Sequence, residues 1–153
     1  MNYHKLMGDF SRLAGLDDVE FEDAGGYFEI GGQPLFLAHE AAFGRITLSA
    51  PVATLKASES DLAGRLLELN LMLMRSGGYA FGYDPETATC LLVASHPIAA
   101  LDAAGLDAAI SAIVAKTEAA RGLVLLGLEL DDVADAKALN DLMSRQETTL
   151  IRA

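Results

Sequence analysis

The sequence has no tryptophan, one cysteine, four prolines and only eleven lysines and arginines among 153 residues. Each scarcity excludes something. A single thiol, Cys90, cannot close an internal disulfide, which fits a reducing compartment and not a disulfide-stapled secreted domain. Against 22 acids the few bases leave a formal charge of -11, and they form no stripe interleaved with aromatics. Nucleic acid and anionic membrane surfaces are therefore poor partners. Long apolar runs are missing too: the longest uncharged stretch, Thr87 to Leu101, is shorter than a membrane span and holds Pro97. The first ten residues carry Lys5 and Asp9 in place of the apolar core of a signal peptide. These features predict a cytoplasmic protein with no membrane segment.

Catalytic and metal-binding patterns are also lacking. His4, His39 and His96 fall on different predicted elements, and none has a partner at the helical spacing of a zinc pair. There is no Walker loop, no G-x-S-x-G elbow and no H-E-x-x-H. Cys90 sits in a predicted strand among Leu91, Leu92 and Val93 and reads as a buried structural thiol. The glycines of Gly77-Gly78-Tyr79-Ala80-Phe81-Gly82 stop a helix and start a strand, without dinucleotide-binding spacing. The expectation is a protein that is not an enzyme and needs no metal or cofactor.

What the sequence has in quantity is apolar residues, 52% with a mean hydropathy of +0.28, beside that net charge. Tyr3, Leu6, Met7, Phe10 and Leu13 recur at helical spacing, so Asn2 to Ala14 is predicted as an amphipathic helix stopped at Gly15. Asp17 to Glu29 holds six acids and no base. Tyr27 to Ile30, Gly31-Gly32 and Pro34 to His39 then read as a hairpin. Arg45 to Leu55 alternates as a third strand, with Pro51 predicting an edge or an early end. Ser58 to Met74 is predicted helical, capped by Ser58-Glu59-Ser60-Asp61, and carries two apolar stripes: Leu62, Leu66, Leu69, Leu73 and Ala63, Leu67, Leu71, Met74. A helix apolar on two sides needs two covers, one of them most simply a second copy of the chain. Tyr79 to Tyr83 and Thr89 to Ser95 flank the turn Asp84-Pro85-Glu86-Thr87. Asp102 to Gly122 is an Ala-rich helix that could run on to Leu130, and Asp131 to Met143 is a last periodic segment before a polar tail. The fold class is α+β, an antiparallel β-sheet packed by helices in the order α-β-β-β-α-β-β-α(-α), with one domain over 1–130 and a C-terminal helical extension over 131–153.

The run Leu66-Leu67-Glu68-Leu69-Asn70-Leu71, then Gly77 through Thr87 with its Asp-Pro-Glu-Thr turn, then Leu91-Leu92-Val93 and His96-Pro97-Ile98, resembles the class I type III secretion chaperones, the Tir chaperone family. The resemblance spans roughly Asn2 to Leu130. It implies a homodimer in the bacterial cytoplasm, without enzymatic activity or cofactor. Such a protein binds the N-terminal chaperone-binding segment of a secreted effector and keeps it soluble, partly unfolded and export-competent. The alternative is a non-enzymatic regulatory or sensory module of similar fold that binds a protein or small ligand.

Two sets of residues follow as candidates. Effector binding is expected at Leu6 and Phe10 on the first helix and at Phe28, Ile30, Leu35 and Leu37 on the first hairpin; alternation alone leaves open whether a guest or the chain's own helix covers them. The dimer contact is expected at Leu66, Asn70 and Leu73. Asn70 lies among leucines and would cost about 1 to 3 kcal/mol if buried unpaired, so it needs its own copy or a backbone group as partner.

Overall fold

The computed structural model describes residues 2–16, 21–54, 66–67, 70–71, 73 and 78–125. Helix α1 spans Tyr3–Ala14, and strands β1 and β2 span Gly25–Ile30 and Gln33–Glu40. A 3-10 turn, Ala41–Phe43, leads to β3, Arg45–Thr54. Strands β4, Tyr79–Asp84, and β5, Thr89–Pro97, precede α2, Ala103–Leu125. The strands form one antiparallel sheet in the order β1-β2-β3-β5-β4, so the class is α+β as expected. Of the helix expected over Ser58 to Met74, only Leu66, Leu67, Asn70, Leu71 and Leu73 are described, all of them helical; the extension 131–153 lies outside the described residues.

The chain divides into two compact units, one made of Met1–Ala50 and Ala94–Val114, the other of Pro51–Val93 and Ala115–Ala153. In the first unit α1 starts where the Asn2 side chain accepts from the Lys5 amide at 2.9 Å, and it ends at Gly15, whose φ of 66° suits a residue without Cβ. Its solvent side carries Lys5, Asp9 and Arg12 as ion pairs at 2.8 and 3.2 Å. Its other side buries Tyr3, Leu6, Met7 and Phe10. The Tyr3 ring stacks on His39 at 4.0 Å, its hydroxyl donates to the Glu22 carbonyl at 3.1 Å, and Phe10, Phe21 and Phe28 form a chain of ring contacts at 6.4 and 5.8 Å. These contacts seat α1 on the face of the first hairpin that carries Phe28, Leu35 and Leu37. Burying each of these large side chains contributes about 1.5 to 3 kcal/mol. Leu106, Ile110 and Ile113 of α2 are buried in the same unit, below an N-terminus where Asp102 accepts from the Gly105 amide at 2.7 Å.

The first hairpin turns through Gly31 and Gly32 with φ of 58° and 79°, the two positive values a two-residue type I′ turn requires. Tyr27 pairs with Phe36, Phe28 with Leu35 and Ile30 with Gln33, while Leu37 pairs across to Leu48 of β3. Strand β1 begins two residues before the predicted start, at Gly25. There φ is 126°, and a Cβ would lie 1.9 Å from the Leu37 carbonyl oxygen, so only glycine fits.

Pro51 departs from its expectation. It lies within β3, and β3 is an interior strand, neither an edge nor ended there. The described ladder between β2 and β3 runs from Arg45 to Ser49, and Pro51 lies two residues past its end, where a missing amide costs less than inside a ladder.

The second unit buries Leu66, Leu73, Tyr79, Cys90 and Leu92 together with Lys116, Thr117 and Ala120 of α2. The Lys116 ammonium lies 4.9 Å from the centre of the Tyr79 ring, and Arg121 donates to the carbonyls of Pro51 and Val52 at 3.0 and 3.3 Å. The turn from β4 to β5 is pinned by Asp84, which accepts from the Glu86 amide at 3.0 Å and the Thr87 hydroxyl at 2.7 Å. Ala88 closes that turn at a φ of 52°.

Candidate partner-binding surfaces

Strand β1 forms one edge of the sheet. The Ile30 to Gln33 pair closes the two-residue turn, and the His39 amide donates to Ala24 at 2.9 Å. Antiparallel alternation therefore turns the backbone groups of Gly26, Phe28 and Ile30 toward β2, and those of Tyr27 and Glu29 toward the open edge. Among the described residues no strand lies on that outer side. The side chains divide by face in the same way: Phe28 and Ile30 share the inner face with Leu35 and Leu37, while Tyr27 and Phe36 stand together on the outer face, rings 5.3 Å apart.

Within this chain the expected effector-binding residues occupy different depths. Leu6, Phe10, Leu35 and Leu37 are buried, Phe28 is half-buried, and Ile30 is exposed at 39%. Two apolar positions that were not singled out are more open, Tyr27 at 57% and Phe36 at 43%. Their signal was in the alternation, since residues opposite in phase to Phe28 and Leu35 must share the other face.

Strand β4 forms the other edge, and it carries a cap. The carboxamide of Asn70 donates to the Phe81 carbonyl at 3.0 Å and accepts from the Phe81 amide at 2.5 Å. Of the two partners the sequence allows Asn70, the structure supplies the backbone group. The side chain takes both backbone groups of Phe81, as a neighbouring strand would. Leu66 and Leu73 are buried in the single chain, whereas Leu67 and Leu71 are each 68% exposed. Leu66 and Leu73, expected at the dimer contact, thus face inward within the single chain, and the other stripe faces outward.

None of these surfaces carries reactive chemistry. Burial pushes the Cys90 thiol up to about 11, which keeps it protonated and inert. Burial lowers the pKa of His96, whose Nε2 has no hydrogen-bond partner among the described residues, so the imidazole is held neutral. The described residues contain no group of ligands able to hold a metal ion and no helix long and apolar enough to cross a membrane.

Comparison with known proteins follows the same lines. No curated protein sequence matches the chain. Among solved structures, the HopA1-SchA chaperone-effector complex contains a chain of similar fold, with TM-score 0.68 and 21% identity over 78% of this chain and 93% of the other. The ExsC-ExsE complex gives TM-score 0.68 and 20% identity over 80% and 96%, and the ExoT-SpcS complex from Pseudomonas aeruginosa gives 0.57 and 19% over 76% and 94%. At such identities these are likenesses of fold. The sequence model of the Tir chaperone protein (CesT) family matches residues 5–121, a stretch that takes in nearly all of α1, the whole sheet and most of α2. On that match the chain belongs to the Tir chaperone protein (CesT) family and is a type III secretion chaperone, not an enzyme.

Proposed function

We propose that the protein acts as a homodimer in the bacterial cytoplasm, where it holds the N-terminal chaperone-binding segment of a secreted effector extended, partly unfolded and ready for export. The observation that carries this reading is the first hairpin: an edge strand with two residues' backbone groups turned outward, on a sheet whose inner face is apolar. A guest segment adds as a strand along β1 and lays apolar side chains beside Ile30 and Phe28, with Leu6, Phe10, Leu35 and Leu37 supporting that surface from beneath. The same chain fold in three complexes, one of them described as chaperone and effector, supports the reading.

Dimerisation through the helix containing Leu66, Asn70 and Leu73 is supported by its second stripe. Leu67 and Leu71 are one turn apart and exposed, and a second copy is the simplest cover for them. The test is co-expression with the secreted protein that co-purifies from the native cell. Ile30→Glu should lose that protein while the thermal midpoint stays unchanged, and Leu71→Asp should shift sedimentation from dimer to monomer. Retention of the guest by Ile30→Glu would remove the hairpin from the binding site. A wild-type monomer at high micromolar concentration would remove the dimer.

A further inference from the structure

Between Arg12 and Arg45 the sequence has seven acids and no lysine or arginine. Within β1 this charge falls on Glu29, which shares the outer face with Tyr27; Tyr27 in turn packs on Phe36. Tyr27 and Glu29 are also the two residues whose backbone groups face the open edge. A strand adding here must place the side chains opposite Tyr27 and Glu29 on the outer face and the intervening ones on the inner face, because side chains directly across a ladder lie on the same side. The two faces offer different chemistry. Inside are Phe28 and Ile30, both apolar. Outside are two exposed ring faces and a carboxylate, which together favour a cation: the rings through their negative π-faces, Glu29 through opposite charge across the ladder.

From this geometry we infer that β1 selects an extended segment in which apolar residues alternate with arginine or lysine, the apolar ones beside Phe28 and Ile30 and the cations over the Tyr27-Phe36 rings and against Glu29. The inference rests on the reading that a guest strand adds to β1, and it names the sequence that strand carries. Arginine suits the outer positions better than lysine, since its planar guanidinium stacks on a ring and still reaches a carboxylate. A second copy of this chain is the poorer occupant, because it would bring two hairpins without a base against each other.

The experiment uses the full chain and two fluorescein-labelled synthetic peptides, one of alternating isoleucine and arginine, the other with glutamine in place of each arginine. Fluorescence anisotropy at about 0.05 M salt, where screening is weak, should find the arginine peptide bound about tenfold more tightly. Glu29→Lys should reduce that preference to less than about twofold, and Tyr27→Ser should reduce it in part. Glu118→Lys, an exposed site on α2, changes the net charge by the same amount and should leave the preference in place. Hydrogen exchange should show the Tyr27 and Glu29 amides protected when the arginine peptide is bound. Equal binding of the two peptides with those amides protected overturns the charge selection and leaves strand addition standing. Loss of the preference in Glu118→Lys as complete as in Glu29→Lys also overturns it, since net charge would then suffice. If neither peptide protects the two amides, both the selection and the β1 docking site fail.

Discussion

The first hairpin, β1-β2, turns on two glycines and, among the described residues, leaves the backbone of its outer strand open at Tyr27 and Glu29. The second, β4-β5, turns on an Asp84 carboxylate that grips Glu86 and Thr87, and its outer strand has the backbone of Phe81 taken by Asn70. One hairpin is shaped by the backbone and open to addition; the other is fastened by side chains. Two edges of one sheet can thus be given opposite roles by a few residues, with no change in strand geometry.

The largest effect should come from closing off the freedom of the open hairpin. Gly25→Ala drives a methyl group into the Leu37 carbonyl and should cost about 3 kcal/mol or more, read as a fall in the urea midpoint. A variant as stable as the parent would mean that the start of β1 is not held against β2. Asn70→Ala uncaps the other edge and should cost about 1 to 3 kcal/mol, with a faster-exchanging Phe81 amide. Asn70→Asp, which sets a carboxylate oxygen against the Phe81 carbonyl, should cost at least as much. An unchanged Phe81 exchange rate in Asn70→Ala would erase the contrast between the edges.

Smaller effects sharpen the comparison of the turns. Ala88 sits in left-handed backbone, so Ala88→Gly should raise stability by about 1 kcal/mol, and a lower urea midpoint would count against that conformation. The least effect is expected from pH. The Thr87 hydroxyl and then the Glu86 amide hold the Asp84 carboxyl below the usual carboxylate range. Its contribution to stability is therefore complete above its unfolded pKa and lost as pH falls through the lower folded value. The Gly31-Gly32 turn contains no titrating group. Thermal melts between about pH 5 and pH 3 should accordingly decline less steeply for Asp84→Asn than for the parent, and identical slopes would remove Asp84 as the acid-sensitive fastening.

Much of this organisation was legible in the sequence because it depends on local rules. The Asn2 to Gly15 helix, the Gly-Gly turn and the Asp-Pro-Glu-Thr turn are each specified by residues within a few positions of one another. Pro51 misled because its cost depends on which partner strand reaches it, and register between β2 and β3 is a property of the assembled sheet. The early start of β1 was missed because two glycines have no strand propensity; Gly25 is there for the space below Leu37. From sequence Leu66 is expected at the dimer contact, but in a helix apolar on two sides only packing decides, and it sends Leu66 inward and leaves Leu67 exposed. The need of Asn70 for a partner could be foreseen, but not that the partner would be Phe81, eleven residues away on the edge strand.

The Asn70 cap can be restated in the language of polymerisation. A sheet with two bare edges is a difunctional monomer, and each joining event leaves two ends ready for the next. A sheet with one edge stoppered is monofunctional: once its single free edge is occupied, growth by strand pairing ends. In a chain of the Tir chaperone protein (CesT) family, one carboxamide at Phe81 thus works against growth from the β4 edge.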